Sequence, residues 1–416
     1  DPAALKTART NAALIYEGQG AVDKAIERYR DYVDQYPDDR ESMPFYHKLA
    51  EMHLRALAFG DAVRLFETLY EKNRTFRHGY SKAPEALRTA SWLRVGMGEF
   101  REAAMGYERY GKENPEASDA EQTFYSAGDL WERVDTAQAL SFYQRYLSRY
   151  SSENPEHIMD ARYRVVMLTE ESRGESTRRA DVQAVNKVWD KLAQAYGELK
   201  PALSESSRGH TYASQYELRA YLAELEEFKK IKLGRNPDAN ARVLVSKRDE
   251  MLALQAKGEG LFTSQRISDF ETYSGLLVAV GDGWLHLSET FDENIDALVP
   301  TNMRGDEINE EVFKDEVRST FIDPYRETAK PLYEQVLNVA KEQNSWSVWQ
   351  TEALSRLAAN WARDGYAEEK EEYRPQIRSG GHRMVGPKRV TLQPEETDLE
   401  SSDDSPGAPE VPGGEP

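Results

Sequence analysis

Carboxylates are the most abundant groups capable of chemistry in this chain, with 73 Asp and Glu against 54 Lys and Arg, a net charge of −19. Their spacing assembles no catalytic set. Asp292, Asn294 and Asp296 occupy the first, third and fifth positions of a calcium loop. Ala297 stands where the sharp turn needs glycine, and Met303 where a bidentate Glu is required, so the segment is read as an acidic helix end. Gly281 and Gly283 begin a dinucleotide-type turn, yet His286 replaces its third glycine. The seven histidines (47, 53, 78, 157, 210, 286 and 382) include no i, i+3 or i+4 pair that would put two imidazoles on one helix face. The sequence contains no G-x-x-x-x-G-K-[ST] loop, no G-x-S-x-G elbow and no H-E-x-x-H pair. It has 0 cysteines, which excludes disulfides, thiol catalysis and Cys-ligated metal. The chain is expected to be no enzyme and to hold no cofactor or metal.

What remains is a framework. At 416 residues the chain exceeds the size at which one core stops growing, so several domains or an array are expected. Hydrophobic residues make up 39%, below the roughly 45–50% of ordinary globular proteins, and charged residues 31%, above the usual ~25%. An elongated repeat protein has that balance because each unit packs only on its neighbours. With 23 Tyr, 13 Phe and 7 Trp, the chain carries far more apolar area than a disordered one. An acidic surface repels phosphate backbones and anionic lipid headgroups, so neither nucleic acid nor a lipid surface is expected as a partner. No run approaches 18 consecutive apolar residues, so no helical insertion into a bilayer is expected. The chain begins with Asp1 and has no signal-like segment, and is read as a processed or excised form.

Self-similarity supplies the framework. Ala, an aromatic four residues on and a bulky apolar residue three further recur as Ala25/Tyr29/Tyr32, Ala62/Phe66/Leu69, Ala103/Tyr107/Tyr110 and Ala139/Tyr143/Tyr146. Offsets of four and seven place the three on one helix face. Successive alanines are 37, 41 and 36 residues apart, and twelve residues before each stands a small residue: Ala13, Ala50, Ser91 and Ala127. A small residue on each of two helices lets the pair approach closely, and the aromatic fills the space beside the contact. Tyr36-Pro37-Asp38-Asp39, Asn114-Pro115-Glu116 and Asn154-Pro155-Glu156 separate the units, since proline cannot continue the helix before it.

These units resemble tetratricopeptide repeats, whose pattern is a small residue in helix A, then Ala, an aromatic and Ala in helix B, then Pro. The first three features match in all four units over roughly residues 6–156. Pro37 and Pro115 stand at the family position, whereas Arg74 replaces the second and Pro155 comes late. The third helix-B small residue is Tyr32, Leu69, Tyr110 and Tyr146 here, which suggests wider packing between repeats. The resemblance implies an all-α fold, a right-handed superhelical solenoid of antiparallel helix hairpins.

Residues 1–156 are thus expected to form four repeats, and 157–373 longer, divergent hairpins or a capping subdomain. In the latter, helices are expected over 157–172, 178–199, 208–233 and 238–256, then a stretch from Ser264 to Leu298 broken near Gly281-Asp282-Gly283. Two more follow, Pro324 to Asn344 with the signature Ala329/Tyr333/Val336, and Trp346 to Asp364. The tail, 374–416, is first basic and acid-free (Arg374, Arg378, Arg383, Lys388, Arg389), then acidic and rich in Pro and Gly. Disorder is expected there, because too little apolar area is present to offset ordering.

The resemblance also implies a function. Ligand peptides in this family lie along a concave face of helix-A residues. Carried over position by position, that face comprises Thr10, Leu14 and Glu17; His47, Glu51, Leu54 and Arg55; Arg88, Trp92 and Val95; and Phe124, Trp131 and Glu132. The residues expected to bind are His47, Glu51, Arg55, Arg88, Trp92, Phe124, Trp131 and Glu132, because aromatics and Arg dominate hot spots. Thr10 and Leu14 stand where carboxylate-clamping members have Lys and Asn, which argues against a chaperone-tail clamp. The expected role is a scaffold or adaptor in a multiprotein complex, with other proteins as partners and contact with a membrane complex only through them. The repeats are similar to those of bacterial cell-envelope scaffolds, implying the periplasm, with the cytoplasm as the alternative. The alternative function is a glycan- or cell-wall-binding, or glycan-acting, α-superhelix. Glu170-Glu171-Ser172 offers the Glu-Ser of envelope transglycosylases, without their glycine-containing cleft motif.

Overall fold

Connections of three residues leave a helix no course but back along its predecessor. In the first three hairpins the turn is made by one left-handed residue at the same place in each: Gly20 (φ 70°), Leu57 (φ 59°) and Gly98 (φ 78°). The fourth hairpin turns instead on Asp135, extended at φ −168°, whose side chain accepts from the Gln138 amide and caps the helix that follows.

The computed structural model describes residues 2–174 and 176–366. Among them there is no strand. The helices α1 (Pro2–Gly18) and α2 (Val22–Gln35), α3 (Ser42–Arg55) and α4 (Phe59–Phe76), and α5 (Ala83–Gly96) and α6 (Phe100–Glu113) form the first three pairs. In the fourth, helix A is split into α7 (Ala120–Tyr125) and α8 (Ala127–Val134), opposite α9 (Thr136–Arg149). A fifth pair, α10 (Pro155–Arg173) and α11 (Arg179–Leu199), lies where the sequence places it. Each of these helices packs on the one before and the one after it, which is a solenoid of helix hairpins.

The phase read from the alanines sets the packing. Ala25, Ala62, Ala103 and Ala139 are all 0% exposed, and Ala13, Ala50, Ser91 and Ala127 are buried opposite them. Pro155 does not end a helix. It opens α10 behind the cap Asn154, which accepts from the amides of Glu156 and His157. Proline fits the first turn because its missing N–H would be unpaired there in any case.

From α11 onward the helices lengthen. α12 (Arg208–Phe228) packs on both α10 and α11, and α13 (Pro237–Thr263), α14 (Phe270–Glu293), α15 (Glu307–Val317), α16 (Asp323–Gln343) and α17 (Val348–Asn360) follow. α14 is the hub, touching α12, α13, α16 and α17. It runs unbroken through Gly281-Asp282-Gly283, contrary to the break expected there. The glycines serve close approach instead: a Cβ on Gly281 would lie 2.8 Å from the Tyr333 ring of α16, and one on Gly283 2.6 Å from Met251 Sδ of α13. Asp282 between them accepts from Tyr333 Oη at 2.7 Å and from Arg356 of α17 at 3.1 Å. The signature Ala329/Tyr333/Val336 is fully buried against this helix. The acidic segment after α14 is a helix end, with Asp292 and Asp296 paired to Arg318 (3.3 Å) and Lys314 (2.6 Å). The tail, 374–416, lies outside the described residues.

The turn at Leu57 gives a test. The side chain is 71% exposed, so its left-handed backbone is offset by little packing. Leu57→Gly is expected to stabilise the fold by about 0.5–1 kcal/mol, the strain removed less the extra entropy of glycine. Denaturant midpoints of the two proteins check it. A midpoint unchanged or lowered contradicts the strain.

Candidate functional site

The helix-A residues separate into two groups according to their offset from the buried small residue. One position after it stand Leu14, Glu51 and Trp92, and here the surface opens: Leu14 is 42% exposed and Trp92 64%. In the fourth unit this position is Gly128, where a Cβ would meet the Tyr143 ring at 2.6 Å, so the row ends. Three positions before the small residue stand Thr10, His47, Arg88 and Phe124, and four after it Glu17, Leu54, Val95 and Trp131; of these only Arg88 is exposed.

Three expected binding residues therefore belong to the core. His47 is buried, edge-on to Phe66 and Tyr80 at 5.8 and 6.1 Å, and burial holds its imidazole below the usual value. Phe124 is 1% exposed, stacked on Phe142 at 5.2 Å and edge-on to Tyr150 at 5.3 Å. Trp131 is 6% exposed and donates Nε1–H to Glu108 at 2.6 Å. Apolar character at helical spacing cannot distinguish a groove aromatic from one that fills the joint between repeats. Glu132 is half-buried too. It accepts from Tyr143 Oη (2.7 Å) and Arg164 (3.2 Å), and burial raises its carboxyl despite both.

Glu51, Arg55, Arg88 and Trp92 remain on the surface. Arg55 is exposed at the end of α3, and Arg88 is held to Asp119 at 2.7 Å. Between α5, α6 and α7 lies a depression of about 270 Å³, lined by Arg88, Trp92, Tyr107, Gln122, Thr123 and their neighbours. Tyr107, the helix-B signature aromatic of the third unit, is only partly buried because it forms the floor, and burial raises its phenol. The site offers an exposed indole, a guanidinium and several hydroxyls and amides. That set can bind a side chain and adjoining backbone, and it contains no activated nucleophile or acid–base pair. In Glu170-Glu171-Ser172, Glu170 accepts from Trp189 Nε1 at 2.7 Å, Glu171 is exposed, and Ser172 donates to the Thr169 carbonyl at 2.9 Å.

Sequence reasoning missed Glu108, the carboxylate beneath this region. It is 6% exposed and accepts from Trp131, from Arg145 of α9 at 2.9 Å and from Lys112 at 2.8 Å. The one available signal was an acid four residues after buried Ala104, on the inner face of α6. Three donors from three helices offset its desolvation, so Glu108→Ala is expected to cost about 3 kcal/mol or more by stranding them. Trp131→Phe, which removes one bond, is expected to cost about 1–3 kcal/mol. Urea unfolding of both variants decides; an unchanged midpoint for either variant contradicts the network.

Residues 7–39 match the tetratricopeptide repeat model, covering α1, α2 and the turn after them. No curated protein matches the chain. Among solved structures, MamA protein is similar at 15% identity over 47% of this chain and 94% of its own, with a TM-score of 0.25. A tetratricopeptide repeat protein from Parabacteroides merdae is similar at 13% identity over 74% and 97%, with a TM-score of 0.25. Naa15/Naa10 bound to HypK-THB is similar at 11% identity over 89% and 63%, with a TM-score of 0.29. Those scores allow no residue-level correspondence. Residues 7–39 thus match one tetratricopeptide repeat directly, and the pairs that follow are built in the same phase around Ala62, Ala103 and Ala139.

Proposed function

We propose that the chain is a scaffold in a multiprotein complex and that a partner peptide docks on the helix-A surface at Trp92. The observation that carries this is Trp92 itself, an indole 64% exposed beside Arg88 at a depression large enough for one side chain. An indole left in water beside a guanidinium, at the edge of a depression, is the feature expected of an unfilled contact. Aromatic and arginine residues at the centre of an interface contribute most of its binding energy. No helix among the described residues is long and apolar enough to cross a membrane, so contact with a membrane complex would run through protein surfaces. The bacterial periplasm is the compartment we propose, and cell fractionation assigns it.

An exposed indole can also stack on a sugar ring, so the test must separate the two ligands. The native protein and Trp92→Ala are used as baits, with captured proteins and cell-wall fragments both quantified. The scaffold reading expects Trp92→Ala to keep its helix content and melting temperature while losing roughly tenfold or more of the affinity for a protein partner. Identical capture by both baits, or enrichment of cell-wall fragments in place of proteins, contradicts it.

A further inference from the structure

A second cavity, of about 500 Å³, lies between α9, α10 and α11 and is lined by Leu147, Ser148, Arg162, Val165, Val188 and Lys191 among others. Its charge is out of character for the chain. The other arginines of α9 and α10 are engaged: Arg145 with Glu108, Arg149 with backbone carbonyls, Arg164 with Glu132 and Arg173 with Asp181. Arg162 and Lys191 form no ion pair among the described residues. The Nε of Arg162 is shielded from solvent and has no hydrogen-bond partner. Burial pushes this guanidinium below its ordinary range, and only the more distant Glu198 pulls it back.

No group of the described residues bonds or pairs with Arg162, and its side chain lines the open cavity, so its guanidinium is available to an incoming acceptor. A guanidinium fork fits a planar two-oxygen acceptor, and an ammonium nearby adds charge without demanding geometry. Leu147, Val165 and Val188 supply apolar wall for the carbons next to such a group, and the volume suits one side chain with its neighbours. A free inorganic anion would leave that wall in water. We propose that this cavity is a second docking site, which takes the carboxylate of a Glu or Asp set among aliphatic residues in a partner protein. Arg162 receives the carboxylate and Lys191 adds charge attraction. The site is formed by helices of the fourth and fifth pairs and does not depend on the Trp92 reading.

The test uses the full chain and a library of fluorescent, amidated hexapeptides, each with one glutamate among leucine and valine, beside the same library with glutamine. Fluorescence polarisation is expected to show glutamate members binding about tenfold or more tightly than their glutamine counterparts, the range of a charge-assisted bond. Arg162→Gln is expected to abolish the preference, Lys191→Gln to weaken it several-fold, and Trp92→Ala to leave it intact. Lys191 is exposed, so its variant keeps the test open if Arg162→Gln misfolds. Equal binding of both libraries, no binding up to millimolar peptide, or full retention by Lys191→Gln overturns the proposal. Displacement by millimolar inorganic phosphate overturns it too, by showing a small-anion site.

Discussion

The fold depends on a hydrogen bond repeated from one end to the other: a buried tyrosine hydroxyl donated to a carboxylate on another helix. Tyr29 reaches Glu17 at 2.5 Å, Tyr143 reaches Glu132 at 2.7 Å and Tyr333 reaches Asp282 at 2.7 Å, each from the same signature position of a helix B. Of the tyrosines three residues further on, two reach into the connection before the next repeat, Tyr32 to Glu41 at 3.3 Å and Tyr110 to Asp119 at 2.6 Å, and Tyr146 reaches back to Glu121 of α7 at 2.5 Å. Tyr125 and Tyr212 share Asp160 and so tie the fourth pair through α10 to α12. Phenols bury large apolar rings and still satisfy carboxylates, which lets an acidic chain use its surplus charge as internal acceptors. Each such bond to a charged group contributes roughly 1.5–3 kcal/mol. Burial first, and the carboxylate second, raise these phenols: Tyr110 to about 12, and Tyr29, Tyr143 and Tyr333 further. Lys48 and Tyr29 together outweigh burial at Glu17 and hold its carboxyl below the usual value.

The same interaction explains what the sequence could and could not show. The four alanines and their small partners were legible because close helix packing admits little else at those positions. The fifth hairpin and the signature at Ala329 followed from the same spacing. The tyrosines in place of the family's last small residue were visible, but not that their hydroxyls would span to the acid nine residues on. The site was half legible. Trp92 and Arg88 lie exposed, as read, yet Phe124, Trp131 and His47 were assigned to a groove although they fill joints between helices. Aromatic type is the same in both settings, so residue type and helical spacing do not tell a ring that fills a joint from one that lines a groove. The unbroken α14 was missed for a related reason. Glycine signals a turn by its backbone and a close approach by its missing side chain, and only the neighbours Tyr333 and Met251 tell which applies.

The two proposed docking sites rest on groups that lie outside this bonding pattern. Trp92 stands one residue past buried Ser91, about a quarter-turn round the helix, and Arg162 stands where α9 and α11 leave a gap over α10. One is an exposed indole, and the other a half-buried cation with no carboxylate held against it.

Alkaline titration tests the tyrosine–carboxylate account most directly. A phenol whose folded pKa lies above its unfolded value of about 10 stabilises the fold fully below that pH, and the stability is lost as pH rises past it. Tyrosinate absorbance and helical circular dichroism are followed together from pH 8 to 13. The account predicts that the tyrosines donating to carboxylates stay un-ionised past pH 10 with helix intact, and that they ionise together with cooperative loss of helix at higher pH. Ionisation of all 23 tyrosines near pH 10 with helix content unchanged would contradict it.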